Sequence, residues 1–119
     1  MNNSNAILNH SLDFAVRIYK LSQHLRNEHN EYVISKQILR SGTSIGANIA
    51  EAQGTQSLAD WINKFHISFK EAKETEYWLL LLNRIELINE EQHKSITKDL
   101  QEIIALIVSI LKSSKSLKY

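Results

Sequence analysis

Hydrophobic residues recur along this chain at alternating intervals of three and four, which is the period of an amphipathic α-helix. Near the carboxyl terminus the repeat consists of Ile96, Leu100, Ile103, Ile107 and Ile110. Similar repeats elsewhere predict four helices, over about residues 5–28, 35–53, 57–88 and 89–113. Short connections favour antiparallel neighbours. The pattern therefore predicts an all-α fold, an antiparallel up-down-up-down four-helix bundle, in a single domain over residues 1–119.

Residues with capping side chains precede three of the predicted helices. Ser35 is expected to cap the second helix, because a serine hydroxyl can accept a free amide of the first turn. Ser57 with Asp60, and Asn89 with Gln92, have the spacing of capping boxes before the third and fourth helices.

Composition narrows the class of protein. The chain has no cysteine, no proline and only three glycines, which excludes disulfides and favours long helices. No basic region followed by an apolar run occurs at the amino terminus, and the longest apolar run, WLLLL, is far too short to cross a bilayer. A cytoplasmic protein without membrane contact is the expectation. The net charge of +1 lacks the basic excess typical of nucleic-acid-binding domains.

The segment RSGTSIGANIAEA, residues 40–52, departs from an ordinary bundle helix. Each of its two glycines costs about 1 kcal/mol relative to alanine inside a helix. Gly42, Gly46 and Ala50 recur every four residues and form one line of small side chains. Such a line allows another helix to approach closely. A bulky residue at position 46 is expected to push the helices apart.

Short polar side chains form a second line on the same helix, beside its apolar face. Exposed helix faces usually carry long charged residues, so a solvated face is the less favoured interpretation. We expect these side chains to meet polar residues of the third helix, either in a buried network or in an open groove that binds a partner. The candidate residues are Arg40, Ser41, Ser44, Asn48, Glu51, Lys70, Glu71 and Glu74.

Known catalytic patterns are missing from these residues. A di-iron bundle needs two Glu-x-x-His pairs, and only Glu90 and His93 have that spacing. Ser44 lies within a predicted helix without a strand-to-helix elbow, and the segment around it lacks the phosphate-loop pattern. The sequence therefore predicts no catalytic residue, no metal and no cofactor. A hydrolase or metal enzyme that uses Glu51, Glu71 and Glu74 is the least favoured hypothesis.

The third helix carries more apolar surface than one bundle core can bury. In the stretch YWLLLLNRI the apolar residues point in several directions. Either the neighbouring helices cover this end more completely, or the surplus packs against another subunit, which we favour. The candidate oligomer interface consists of Trp78, Leu81, Leu82 and Ile85.

The segments ILRSGTSIGANIAEA and DWINKFHISFKEAKETEYWLLLL occur together in the second and third helices. This paired motif resembles a family of four-helix bundles encoded by intervening sequences within bacterial 23S ribosomal RNA genes, often labelled S23 ribosomal proteins. The resemblance covers nearly the whole chain and implies an antiparallel bundle, assembly into a homopentamer and no established enzymatic activity. A related branch, the accessory protein of diversity-generating retroelements, binds nucleic acid and a reverse transcriptase. The matching positions are Arg40, Ser41, Ser44, Asn48, Ala50, Glu51, Lys70, Glu71, Glu74 and Trp78.

The expected function is accordingly a non-enzymatic, homopentameric binding or scaffold protein that contacts RNA or DNA. A ring would repeat a weak basic patch, and multivalency would raise its affinity. The alternative is a protein-interaction module whose polar groove receives a partner peptide or helix without nucleic acid. The candidate nucleic-acid contacts are Arg17, Lys20, Arg26, Arg40, Lys112, Lys115 and Lys118.

Overall fold

The computed structural model describes residues 3–116, and the side chains of residues 6–115. The helices are α1 (Asn3–His29), α2 (Val33–Ala52), α3 (Leu58–Arg84) and α4 (Glu90–Ser116), and the described residues contain no strand. Helix α2 packs between α1 and α3, and α4 closes the bundle against α3 and α1. The predicted all-α four-helix bundle is confirmed.

Contacts between neighbouring helices show that they run antiparallel. Along α2, Arg40 reaches Glu74 of α3, whereas Glu51, further along, reaches the earlier residue Lys64. The backbone of α2 also approaches α1 in reverse order, with Gly42 beside Ile18 and Gly46 beside Ser11. The bundle therefore has an upper end, where the α1–α2 and α3–α4 connections lie, and a lower end, where the α2–α3 connection lies.

The capping predictions are confirmed for α3 and α4. The Ser57 hydroxyl accepts the Asp60 amide at 3.1 Å. The Asn89 side chain accepts the Gln92 amide and the Gln92 side chain accepts the Asn89 amide, both at 2.8 Å. These side chains satisfy amides that no preceding helical carbonyl can reach.

The capping prediction for α2 is wrong. Ser35 lies inside the helix, fully buried, and its Oγ has no hydrogen-bond partner. Glu31 takes the capping role, because its carboxylate accepts the amides of Val33, Ile34 and Ser35 at 3.2, 3.0 and 2.8 Å. A longer side chain placed before the helix satisfies three amides, where a serine cap satisfies one.

Helix α3 ends earlier than the periodicity predicts, at Arg84 and not near Ile88. The chain turns because Glu86 adopts a left-handed conformation with φ of 64°. The amide of Leu87 then bonds the Leu82 carbonyl at 2.9 Å, and Ile88 returns to the core. No glycine marks this turn, so the apolar pattern continues through it.

The core runs along the bundle axis and is almost entirely aliphatic. Each helix contributes fully or nearly fully buried residues, among them Ile18, Ile45, Leu79 and Ile103. Leu82 also belongs to this core, with none of its surface exposed. The prediction that Leu82 belongs to the oligomer interface is therefore wrong, because the turn after Arg84 and the neighbouring helices cover this side chain completely.

Candidate interaction surfaces

An ion-pair cluster joins α2 to α3 on the outside of the bundle. The Arg40 guanidinium donates to Glu71 Oε1 at 3.1 Å and also to Glu74 Oε2. The Trp78 indole donates to the same Glu74 oxygen at 2.9 Å. Three of the polar residues predicted to meet here, Arg40, Glu71 and Glu74, are therefore brought together. About half of the Arg40 side chain remains exposed, at 48%.

The hydrogen bonds of this cluster favour the charged forms of Arg40 and Glu74. The hydrogen bond from Arg40, and then that from Trp78, hold the pKa of Glu74 below its ordinary value. The hydrogen bond to Glu74 is likewise the main cause that raises the pKa of Arg40. The arrangement is a set of ion pairs that links α2 to α3. It keeps Glu74 from the protonated form that a general acid at neutral pH requires.

The other polar residues of α2 do not join one continuous network. The Ser41 hydroxyl is buried and lies 2.9 Å from the Thr75 hydroxyl of α3. Ser44 donates back to the Arg40 carbonyl at 2.6 Å, and Asn48 donates back to the Ser44 carbonyl at 2.8 Å. Both side chains thus satisfy their hydrogen bonds within their own helix. The line is buried at Ser41 and solvent-facing further along α2.

Glu51 and Lys70, also predicted for this site, lie apart from each other. Glu51 pairs with Lys64, whose Nζ is 2.7 Å away. Lys70 is exposed and makes no hydrogen bond or ion pair with the described residues. Helix α3 has a lysine at position 64 and another at position 70, and either could pair with Glu51 on spacing alone. The antiparallel register places Lys64, and not Lys70, at the level of Glu51.

The upper end of α3 carries an apolar surface on the side that faces α2. Trp78 is tied to this side by its bond to Glu74, and Leu81 and Ile85 follow at helical spacing. Ile85 is 46% exposed, whereas Trp78 and Leu81 are half-buried. We call these three residues the α3 surface. It holds the predicted interface residues that remain accessible once Leu82 is assigned to the core.

A second apolar surface lies on α1 and was not singled out from the sequence. Leu12, Val16 and Tyr19 are spaced four and three apart and are 55%, 52% and 54% exposed. We call these three residues the α1 surface. In the sequence, the spacing of Leu12 and Tyr19 predicts only a wider apolar stripe on the first helix. The width of this stripe could have indicated an exposed apolar surface, because two neighbouring helices cannot cover so broad a stripe.

The basic residues predicted to contact nucleic acid do not form one patch. Arg17 is engaged by α4, through Asp99 at 2.7 Å and Ser95. Lys20 and Arg26 are exposed on the upper half of α1. Lys112 and Lys115 are exposed at the lower end of α4, and Lys118 lies outside the described residues. The single subunit therefore separates these charges to its two ends.

The sequence favours neither a metal site nor a membrane-spanning helix. Among residues 3–116 no group of three or more His, Asp or Glu side chains is arranged to hold a metal ion. No helix within the same range combines the length and the hydropathy that a transbilayer segment needs.

Comparison with known proteins shows the family to which this chain belongs. A search of curated proteins finds no match. A crystal structure from Bacteroides thetaiotaomicron VPI-5482, described as a protein with unknown function from the S23 ribosomal protein family, is 58% identical to this chain. The match covers 93% of this chain and 99% of that one, with a TM-score of 0.92. The family model for the 23S rRNA-intervening sequence protein matches residues 3–109, so this chain belongs to that family.

Proposed function

We propose that the chain is the subunit of a non-enzymatic, ring-shaped homo-oligomer that serves as a binding scaffold, with five copies in the ring. The observation that carries the proposal is the pair of exposed apolar surfaces on two helices of one subunit that do not contact each other. The α1 surface and the α3 surface each expose large side chains, with Tyr19 at 54% and Ile85 at 46%. Contiguous apolar surface of this kind usually marks a protein interface.

The placement of the two surfaces suits a ring better than a two-fold dimer. A closed ring uses a heterologous contact, in which one surface of each subunit meets a different surface of the next. The α1 surface and the α3 surface belong to helices that do not pack against each other, because α2 lies between them. The two surfaces therefore share no residue and can serve as the two different halves of a heterologous contact. The pentameric number rests on the family resemblance.

Substitutions on each surface test the assembly. Val16→Glu and Ile85→Glu place a charge at exposed positions, so the subunit should still fold while the interface fails. Leu80→Glu is the matched control, because Leu80 is 47% exposed on α3 and Ile85 directly follows the end of that helix. Leu80 follows Glu76 by one turn, and Glu76 bonds Gln101 of α4, so the control lies on the other side of α3.

Sedimentation velocity at micromolar concentration gives the readout, with helical content checked by circular dichroism. The wild-type protein and the Leu80→Glu control are expected to sediment near five times the subunit mass of 13.7 kDa. Val16→Glu and Ile85→Glu are expected to sediment as monomers. A monomeric wild-type protein, or an assembly that both variants leave intact, contradicts the proposal.

A specific observation favours nucleic acid as a ligand of this scaffold. At the upper end, the Arg26 guanidinium lies 5.5 Å above the ring of Tyr32, and both side chains are exposed. Lys20 is exposed on the same half of α1. Exposed cations next to an aromatic face are the elements with which proteins bind single strands. A ring repeats this set once per subunit and so multiplies a weak contact.

Binding of a fluorescent single-stranded RNA, followed by anisotropy at several salt concentrations, tests this second part. Affinity is expected to fall as salt rises, and to fall further in Lys20→Gln/Arg26→Gln. Lys70→Gln/Lys98→Gln removes two exposed charges on α3 and α4, away from Tyr32, and is the control. Absence of binding at low salt contradicts a nucleic-acid role. It would favour the protein-interaction alternative, for which a pull-down that survives nuclease treatment is the expected result.

A further inference from the structure

A groove runs between α3 and α4 at the lower end of the bundle, and neither apolar surface described above includes it. Its floor is formed by partly buried apolar side chains, Ile62, Phe69, Val108 and Leu111. Its rim is formed by exposed basic side chains, His66 on α3 and Lys112 and Lys115 on α4. An apolar floor between two helices is the form that protein grooves use to receive an amphipathic helix.

The charge of this groove is one-sided. No Asp or Glu lines it, and neither Lys112 nor Lys115 forms an ion pair with a described residue. The groove on the opposite side of α4 also has basic side chains, but there Arg17 is paired with Asp99 at 2.7 Å. No acidic side chain of the described residues therefore neutralises the lysines of the α3–α4 groove.

We propose that the α3–α4 groove docks an acidic amphipathic helix of a partner protein. The apolar face of that helix covers the floor, and its carboxylates meet Lys112 and Lys115 on one side and His66 on the other. Charge complementarity selects this occupant, because a helix with basic flanks would be repelled by Lys112 and Lys115.

The dimensions of the groove set the length of the docked helix. Ile62 and Phe69 are seven residues apart on α3, and at about 1.5 Å per residue they span roughly 10 Å. Val108 and Lys115 span the same length on α4. About two helical turns fill this length. Because Lys112 and Lys115 are three residues apart, they match carboxylates that are spaced one turn apart on the partner.

Nucleic acid fits this groove less well than a helix does. Three of the four floor residues are aliphatic, and they offer no flat ring on which a base can stack. The rim contains no arginine, the side chain that grips phosphate with two parallel hydrogen bonds. Nucleic acid is therefore the competing outcome of the experiment.

A pair of designed peptides tests the groove on the full chain. Each is a fluorescent three-turn helix with leucines at one face, flanked by glutamates in the first peptide and by lysines in the second. The protein variants are Lys112→Glu/Lys115→Glu, which reverses the rim charge, and Lys36→Glu/Lys94→Glu, which reverses two exposed charges at the upper end of the bundle. Both pairs are exposed lysines, so folding is expected to survive in both variants.

The wild-type protein is expected to bind the glutamate peptide at least about tenfold more tightly than the lysine peptide. Reversal at positions 112 and 115 should invert this preference, and the control pair should keep it. Equal binding of the two peptides by the wild-type protein, or an unchanged preference in Lys112→Glu/Lys115→Glu, overturns the proposal. Displacement of the glutamate peptide by a single-stranded RNA that itself needs Lys112 and Lys115 also overturns it, in favour of nucleic acid.

The peptide-binding test of the α3–α4 groove does not depend on the proposed ring assembly. The groove shares no residue with the α1 surface or the α3 surface. The same peptide titration in the monomeric variant Val16→Glu is expected to give the same affinity per subunit. Failure of the ring therefore leaves the docking result intact, and failure of docking leaves the sedimentation result intact.

Discussion

Gly42 and Gly46 line the same close approach of α2 to α1, yet their surroundings differ. A Cβ at position 42 would lie 2.8 and 2.9 Å from two γ-carbons of Ile18, which is fully buried and has no room to move aside. A Cβ at position 46 would lie 3.1 Å from the Ser11 Cβ, which a shift of a few tenths of an ångström relieves.

We therefore expect opposite outcomes for the same substitution at the two glycines. Alanine gains about 1 kcal/mol of helix propensity at either position. At position 42 this gain is outweighed by overpacking, which costs about 1–3 kcal/mol, so Gly42→Ala should destabilise the fold. Gly46→Ala should equal or exceed the wild-type stability. Urea denaturation at one protein concentration measures both, and equal changes in the two variants would contradict this reading of the interface.

The Arg40–Glu74–Trp78 cluster makes the stability depend on pH in a defined direction. Because these hydrogen bonds lower the pKa of Glu74 in the folded state, the unfolded chain binds a proton first as the pH falls. The contribution of Glu74 is complete above the ordinary carboxyl pKa of about 4.3 and is lost as the pH falls towards the lowered folded value.

Glu74→Gln removes this contribution at all pH values. As the pH falls from neutral to well below the ordinary carboxyl pKa of about 4.3, the variant should therefore lose less free energy of unfolding than the wild-type protein. Glu102→Gln, at an exposed position on α4, is the control and should keep the wild-type pH dependence. Parallel pH profiles for wild type and Glu74→Gln would show that the cluster does not stabilise the folded state.

At the scale of the helix, Glu31 is the residue that starts α2. Its carboxylate accepts three amides, those of Val33, Ile34 and Ser35. Glu31→Ala is expected to cost about 0.5–2 kcal/mol, the range measured for lost amino-terminal caps. Glu28→Ala is the control, because Glu28 is exposed near the carboxyl end of α1, where a negative charge opposes the helix dipole. Thermal unfolding that is equal in the two variants would contradict the capping role.

The same helix shows what periodicity can and cannot predict. Periodicity locates α2 because apolar side chains repeat over its whole length, and the repeat does not depend on the rest of the fold. It does not locate the cap, because Ser35 and Glu31 both have side chains that can accept amides, and the backbone path decides between them. The end of α3 cannot be predicted from periodicity for a related reason. Glu86 adopts the left-handed conformation that ends the helix, and no glycine in the sequence indicates this turn.

At the scale of the molecule, the candidate site was only partly predictable. Arg40, Glu71 and Glu74 could be grouped because helices joined by a short connection are neighbours. The choice of Lys64 over Lys70 for Glu51 depends on the exact register between α2 and α3, which spacing alone leaves free. The α1 surface and the α3–α4 groove depend on which sides of each helix its two neighbours cover, and that is a property of the assembled bundle.

The four helix interfaces of the bundle are also unequal in kind. Helix α2 is held by close glycine contacts to α1 and by buried hydroxyl groups to α3, including the 2.9 Å bond from the Ser68 hydroxyl to the Ile45 carbonyl. Helix α4 is held at its edges by partly exposed pairs, such as Arg17 with Asp99, and a groove flanks it on each side. Local opening should therefore begin at α4, because exposed contacts and low packing define the least stable unit of a fold.

Native-state hydrogen exchange tests this order at two matched positions. Ile45 of α2 and Ile107 of α4 are both fully buried in the middle of their helices. We expect the amides around Ile107 to exchange with an opening free energy at least about 1 kcal/mol below that around Ile45. The measurement is made in the wild-type protein and in Val16→Glu, so that protection by assembly is separated from protection by the bundle. Equal or greater protection around Ile107 in the monomeric variant would mean that the glycine and hydroxyl contacts of α2 do not set the order in which the bundle opens.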